Sequence, residues 1–137
     1  MDRADDQRCA GFPRPLNEAE RASLYLLLPE GGFAGVDEYR AQVEFAMAVA
    51  PCSCPCPTVE IEVDRLEARP SPHGKGALPI GYVYEVPGDS NREMYWLMAW
   101  ADEGYLSRLE IAWLDEPPTQ LPPIGAWKLS PDVYGPR

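Results

Sequence analysis

Apolar positions change period twice along this chain. From Glu18 to about Leu28 the apolar stripe is Leu24, Leu27 and Leu28, the spacing of one helix face. Asn17 followed by Glu20 is a capping-box pattern that starts this helix, and Pro29 with Gly31-Gly32 stops it. Val36, Tyr39, Val43, Met47 and Ala50 continue at helical spacing and predict a second helix from Val36 to Val49, ended by Pro51. The short connection predicts an antiparallel helical hairpin. After Pro57 the period becomes two. Val59, Ile61 and Val63 alternate with Glu60, Glu62 and Asp64, which predicts a half-buried strand.

Residues 68–77 hold two Pro, two Gly and the single histidine, and read as a loop. A second strand is expected over 78–86, and Pro87-Gly88-Asp89-Ser90-Asn91 as a turn. The stretch from Glu93 to Ala101 is apolar on both parities, which predicts a central strand covered on both faces. Asp102-Glu103-Gly104 is a hairpin turn signal leading into a fourth strand from Tyr105 to about Leu114, with Leu109, Ile111 and Trp113 inward. The proline-rich segment from Asp115 carries Leu121, Trp127, Val133 and Tyr134. It reads as an extended arm without regular structure that lays its aromatics over the second face of the third strand. Helices first and strands afterward define an α+β fold: a helical hairpin on a four-stranded antiparallel meander, with a C-terminal arm. The 137 residues form one domain, with 1–15 read as flexible and 115–137 as the arm.

Charge narrows the partners. Twelve basic residues against 22 acidic ones give a net charge of −10. That field repels phosphate backbones and argues against nucleic acid. Between Pro15 and Glu67, ten acids face only Arg21, Arg40 and Arg65, a local excess of seven negative charges. The start, MDRADDQRC, lacks the apolar stretch of a signal peptide, and the longest apolar runs are too short to span a bilayer. These features predict a cytoplasmic protein with reduced thiols and no membrane contact.

Catalytic constellations are sparse. His73 sits in a Pro/Gly loop with no nucleophile elbow in the chain, and reads as solvent-facing. Gly74-Lys75-Gly76 lacks the glycine spacing and hydroxyl residue of a phosphate loop. Glu60, Glu62 and Asp64 share one strand face, an arrangement that suits a solvated stripe better than a hydrolytic pair. Tyr82, Tyr84, Trp96, Trp100 and Trp113 fit either a core or a ligand-binding sheet face.

The stretch PCSCPCP places Cys52, Cys54 and Cys56 within five positions. Cys54 and Cys56 each precede proline and are therefore pushed toward extended geometry. Extended residues two apart lie about 6.6 Å apart at Cα, near the limit for a disulfide. Three thiolates fall one short of a structural zinc tetrahedron, which Cys9 or His73 would complete, but no second ligand pair lies downstream. Three readings follow: buried structural thiols, a zinc site built on Cys52, Cys54, Cys56 and Cys9, or a redox sensor. The expectation is a metal-free corner that breaks strand register at a proline and turns at least two thiols inward.

Cys52, Cys54, Cys56, Pro57 and Thr58, leading into an alternating strand, form a C-x-C-x-C-P-[ST] stretch. With the later Gly104-Tyr105-Leu106-Ser107-Arg108-Leu109-Glu110 and Leu121-Pro122, this resembles a group of small uncharacterised actinobacterial proteins. The resemblance implies no activity and no catalytic residues. The expected function is an acidic cytoplasmic interaction module of the immunity or adaptor kind, not an enzyme. It would bind a basic protein through Glu60, Glu62 and Asp64 and need no cofactor. The alternatives are the zinc protein and a small-ligand domain on the aromatic sheet face.

Overall fold

A computed structural model describes residues 11–53, 56–88 and 93–130. Its elements run β1 (Arg14–Pro15), α1 (Glu18–Leu27), α2 (Val36–Gln42), a 3-10 turn (Val43–Phe45), β2 (Ala46–Pro51) and β3 (Val59–Val63). They continue with β4 (Gly76–Ala77), β5 (Gly81–Glu85), β6 (Met94–Asp102), β7 (Tyr105–Trp113), a second 3-10 turn (Ile124–Ala126) and β8 (Lys128–Ser130). All strand pairs are antiparallel, in the order β1-β2-β3-β7-β6-β5-β8, with β4 also on β6. The α+β class stands, with an eight-stranded sheet among the described residues in place of four strands.

The first helix follows its sequence signals. Asn17 Oδ1 accepts from the Glu20 amide at 2.8 Å, and the Glu20 carboxylate accepts from the Asn17 amide at 2.9 Å. Two of the helix's orphan donors are thereby satisfied. Leu24, Leu27 and Leu28 are wholly buried. Arg14 grips Glu20 with two contacts of 2.8 Å, so residues 14–15 belong to the fold and are not part of a flexible lead.

The second helix stops seven residues short of Val49, and Ala46–Pro51 is a strand. Ala and Met favour helices, but Ala46 and Ala48 face inward while Met47 faces out, a period of two that the helical reading overlooked. β3 needs a partner for its open edge, and tertiary pairing overrides weak propensity. The predicted helical hairpin gives way to two helices laid on the sheet, α1 against β6 and α2 against β7.

β6 and β7 form the longest pairing. Asp102 opposite Tyr105 closes a two-residue turn in which Glu103 (φ 53°) and Gly104 (φ 82°) are both left-handed, as a type I′ turn requires. A Cβ on Gly104 would also lie 2.7 Å from the Ser71 carbonyl oxygen. On β7 the register shifts beside Ser107, so Leu106 and Leu109 both face the core.

The buried amide of Gln42 joins distant segments. Its Nε2 donates to the carbonyls of Arg69 (2.9 Å) and Gly104 (2.8 Å), and its Oε1 accepts from the Leu106 amide (2.9 Å). At the other end of the hairpin, the buried Glu93 carboxylate accepts from the amides of Met94, Leu114, Asp115 and Glu116. These amides, that of Glu116 foremost, hold the Glu93 carboxyl below its ordinary pKa.

The arm differs from expectation in structure and in side. Lys128–Ser130 pairs with β5 as a regular strand. Trp127 is buried against Tyr84, which stacks on Tyr95, and the 3-10 turn before it packs on α1. Tyr95 lies on the same parity as Leu97 and Ala99, so the arm completes the helix-side core. Its described part, up to Ser130, does not cover the second face of β6. Asp89 to Asn91, Val133 and Tyr134 lie outside the described residues.

Candidate functional site

Among the described residues both helices and the arm pack on one side of the sheet, and the opposite face carries the side chains of its own strands. Cross-strand register places Met47 opposite Glu62, Glu60 opposite Arg108, Glu110 opposite Met98 and Ala112 opposite Trp96 on that outer face. The predicted alternation of β3 holds, with Val59, Ile61 and Val63 buried and Glu62 exposed.

The three carboxylates singled out from the sequence share this face but differ in state. Glu60 is engaged by Arg108, whose Nε and Nη2 reach it at 3.0 Å and 2.8 Å. Glu110 approaches the same guanidinium at 3.5 Å, and Glu60 foremost raises the Arg108 pKa. The Arg108–Glu60 pairing depends on which strand neighbours β3, and sequence spacing does not reveal it. Asp64 Oδ1 accepts from the Leu66 amide at 3.0 Å and starts the turn after β3. Among the described residues no cation lies within ion-pair distance of Glu62 or Asp64. Neighbouring Arg65 is drawn away, 3.0 Å from Glu103 and over the Tyr105 ring.

Beside Glu62 and Asp64 runs an open groove of about 850 Å³, lined also by Pro13, Phe45, Met47, Val49 and Arg65. Phe45 and Met47 are 38% and 39% exposed, and Leu66, one residue beyond Arg65, is 96% exposed. Sequence reasoning placed Met47 on a buried helix stripe and did not single out Phe45. Strand alternation in 46–51 was the signal available.

The cysteine stretch is the loop of the β2–β3 hairpin, closed by the Cys52 amide donating to the Thr58 carbonyl at 3.1 Å. Thr58 Oγ1 accepts from the Ile111 amide at 2.9 Å and donates to its carbonyl, replacing a ladder partner where the chain leaves the sheet. Cys56 is buried and Cys52 half-buried. Cys56 is disulfide-bonded, which overturns the expectation that the thiols are all reduced. Cys9 and Cys54 lie outside the described residues. A half-cystine offers no thiolate to zinc, so the zinc reading requires that bond to be reduced first. Among the described residues no group of three or more His, Cys, Asp or Glu is arranged to hold a metal.

His73 is half-buried rather than solvent-facing. Its ring meets Phe33 and Tyr39 edge-on at 6.0 Å and 5.9 Å, and its Nδ1 lies 3.3 Å from the Tyr39 hydroxyl. Burial is the main cause that pushes the Tyr39 pKa up. Ser71 Oγ donates to the Gly35 carbonyl (2.8 Å) and accepts from the His73 amide (3.2 Å). That hydroxyl joins two loops and is not poised against the imidazole as a nucleophile.

The five aromatics weighed as a ligand-binding face divide between the two sides. Tyr82, Tyr84 and Trp113 pair with Leu97 and Tyr95 on the helix side, while Trp96 and Trp100 point outward. They line no common cavity. No helix among the described residues is long and apolar enough to cross a membrane. No family model, curated protein or solved structure matches this chain.

Proposed function

We propose that the chain is a protein-interaction module, of the immunity or adaptor kind, that meets a basic partner with the outer face of its sheet. The observation that carries this reading is the Glu62–Asp64 edge of that face. Neither carboxylate there has an ion-pair partner among the described residues, since neighbouring Arg65 pairs with Glu103 instead, on a protein whose net charge is −10. Glu60 contributes to the same face, but its charge is largely offset by Arg108. Kinship with the small actinobacterial proteins that share the C-x-C-x-C-P-[ST] stretch belongs to this proposal. A cytoplasmic setting belongs to it too, although the Cys56 disulfide counts against that, since such bonds persist where thiols are oxidised.

Opposite charges across an interface speed encounter, and salt screens them beyond a Debye length of about 8 Å. With a purified basic partner, the association rate should therefore fall steeply as salt rises. Glu62→Lys with Asp64→Lys should slow association roughly tenfold. Asp64→Lys also removes the turn bond from the Leu66 amide, so Glu62→Lys alone is the reversal expected to melt like the wild type. Glu60→Lys is a poorer probe, because it also places a second cation beside Arg108. Association that is indifferent to salt and to both reversals would refute the electrostatic reading.

A further inference from the structure

The groove beside Glu62 and Asp64 has a floor that charge alone does not use. Of the five large apolar side chains exposed among the described residues, Phe45 and Met47 line it, and Leu66 follows the lining residue Arg65 in the chain. Exposed apolar groups gathered at one spot and rimmed by charge mark an interaction surface more clearly than the same groups scattered. The volume, about 850 Å³, falls in the range of ligand-sized clefts.

We propose that this groove receives an extended basic segment of a partner protein, seating one or more apolar side chains on Phe45, Met47 and Val49 while flanking Lys or Arg residues meet Glu62 and Asp64. The inference rests on the interaction reading above and adds the apolar anchor to it. Charge selects this occupant over the others. A second copy would bring another net −10 and another acidic rim. The chain's own residues 1–10 carry three Asp against two Arg and so do not complement the rim. Residues 131–137 carry one Asp against one Arg and so bring no net positive charge to the rim.

Three short synthetic peptides test the idea, alternating Lys–Leu, Lys–Ser and Glu–Leu, titrated calorimetrically against the full chain. The Lys–Leu peptide should bind at least about tenfold tighter than Lys–Ser, a difference of about 1.4 kcal/mol. Met47→Gln should remove most of that difference and leave Lys–Ser binding unchanged. Met47 is exposed, so the variant should melt like the wild type, and a melting curve confirms this. Equal affinity for Lys–Leu and Lys–Ser would overturn the apolar anchor and leave the basic-partner reading standing. Lys–Leu binding that ignores Met47→Gln would overturn the assignment to this groove. Glu–Leu binding as tight as Lys–Leu would overturn the basic character of the occupant. Failure of both basic peptides would remove the parent reading and this one together.

Discussion

The carboxamide of Gln42 holds the carbonyls of Arg69 and Gly104 and the amide of Leu106, so one side chain fixes α2 to a loop and to the β6–β7 turn. The Gly104 carbonyl also accepts from the Ser71 amide at 2.7 Å. Gln42→Met keeps the volume and strands those buried groups, at about 1–3 kcal/mol each. Chemical denaturation should show a loss of about 3 kcal/mol. Glu93 makes a comparable anchor with a charge. Its folded pKa lies below the unfolded value, so its contribution is present above about pH 4.3 and is lost as pH falls through the folded value. Glu93→Gln should therefore be less stable than wild type at pH 7, with the gap closing in acid; a gap that stays constant with pH would refute the linkage. Neither anchor was legible in the sequence. Each depends on which backbone groups the finished fold leaves unpaired, and that follows from register and turns, not from spacing.

At the scale of elements, legibility tracked how far a local signal had to compete with partners elsewhere. The capping box and leucine stripe of α1, the alternation of β3 and the turn at Glu103-Gly104 are all strong local signals, and each element formed where they placed it. Ala46–Pro51 carries weak signals of both kinds, and the free edge of β3 decided its state. The candidate face was half legible for the same reason. Glu62 was read correctly from parity, whereas Phe45 and Met47 became visible only once 46–51 was known to be a strand. The arm shows a further limit, since proline content argued against regular structure while Lys128–Ser130 contains no proline and pairs with β5. Trp127 is what holds that arm down. Trp127→Ala should cost about 3 kcal/mol, as aromatic-to-alanine changes in cores do. Its buried Nε1 has no partner among the described residues, so Trp127→Phe should cost less than about 1.5 kcal/mol. Thermal melts of the two variants that coincide would show that the ring is not packed as described.

On the scale of the whole molecule, the sheet's two ends matter as much as its faces. Backbone groups at a sheet edge can template another chain, which leads to strand swapping or fibrils. Among the described residues one end is β1, two residues long and half proline, and the other is β8, three residues beginning with Lys128. Both are too short to offer a run of open amides and carbonyls, and proline removes one donor outright. Among the described residues, lateral growth by strand addition is thus discouraged at each margin, even though neither helix covers the outer face of the sheet. An extended chain that approached either margin would find little described backbone to pair with, whereas the outer face of the sheet offers side chains.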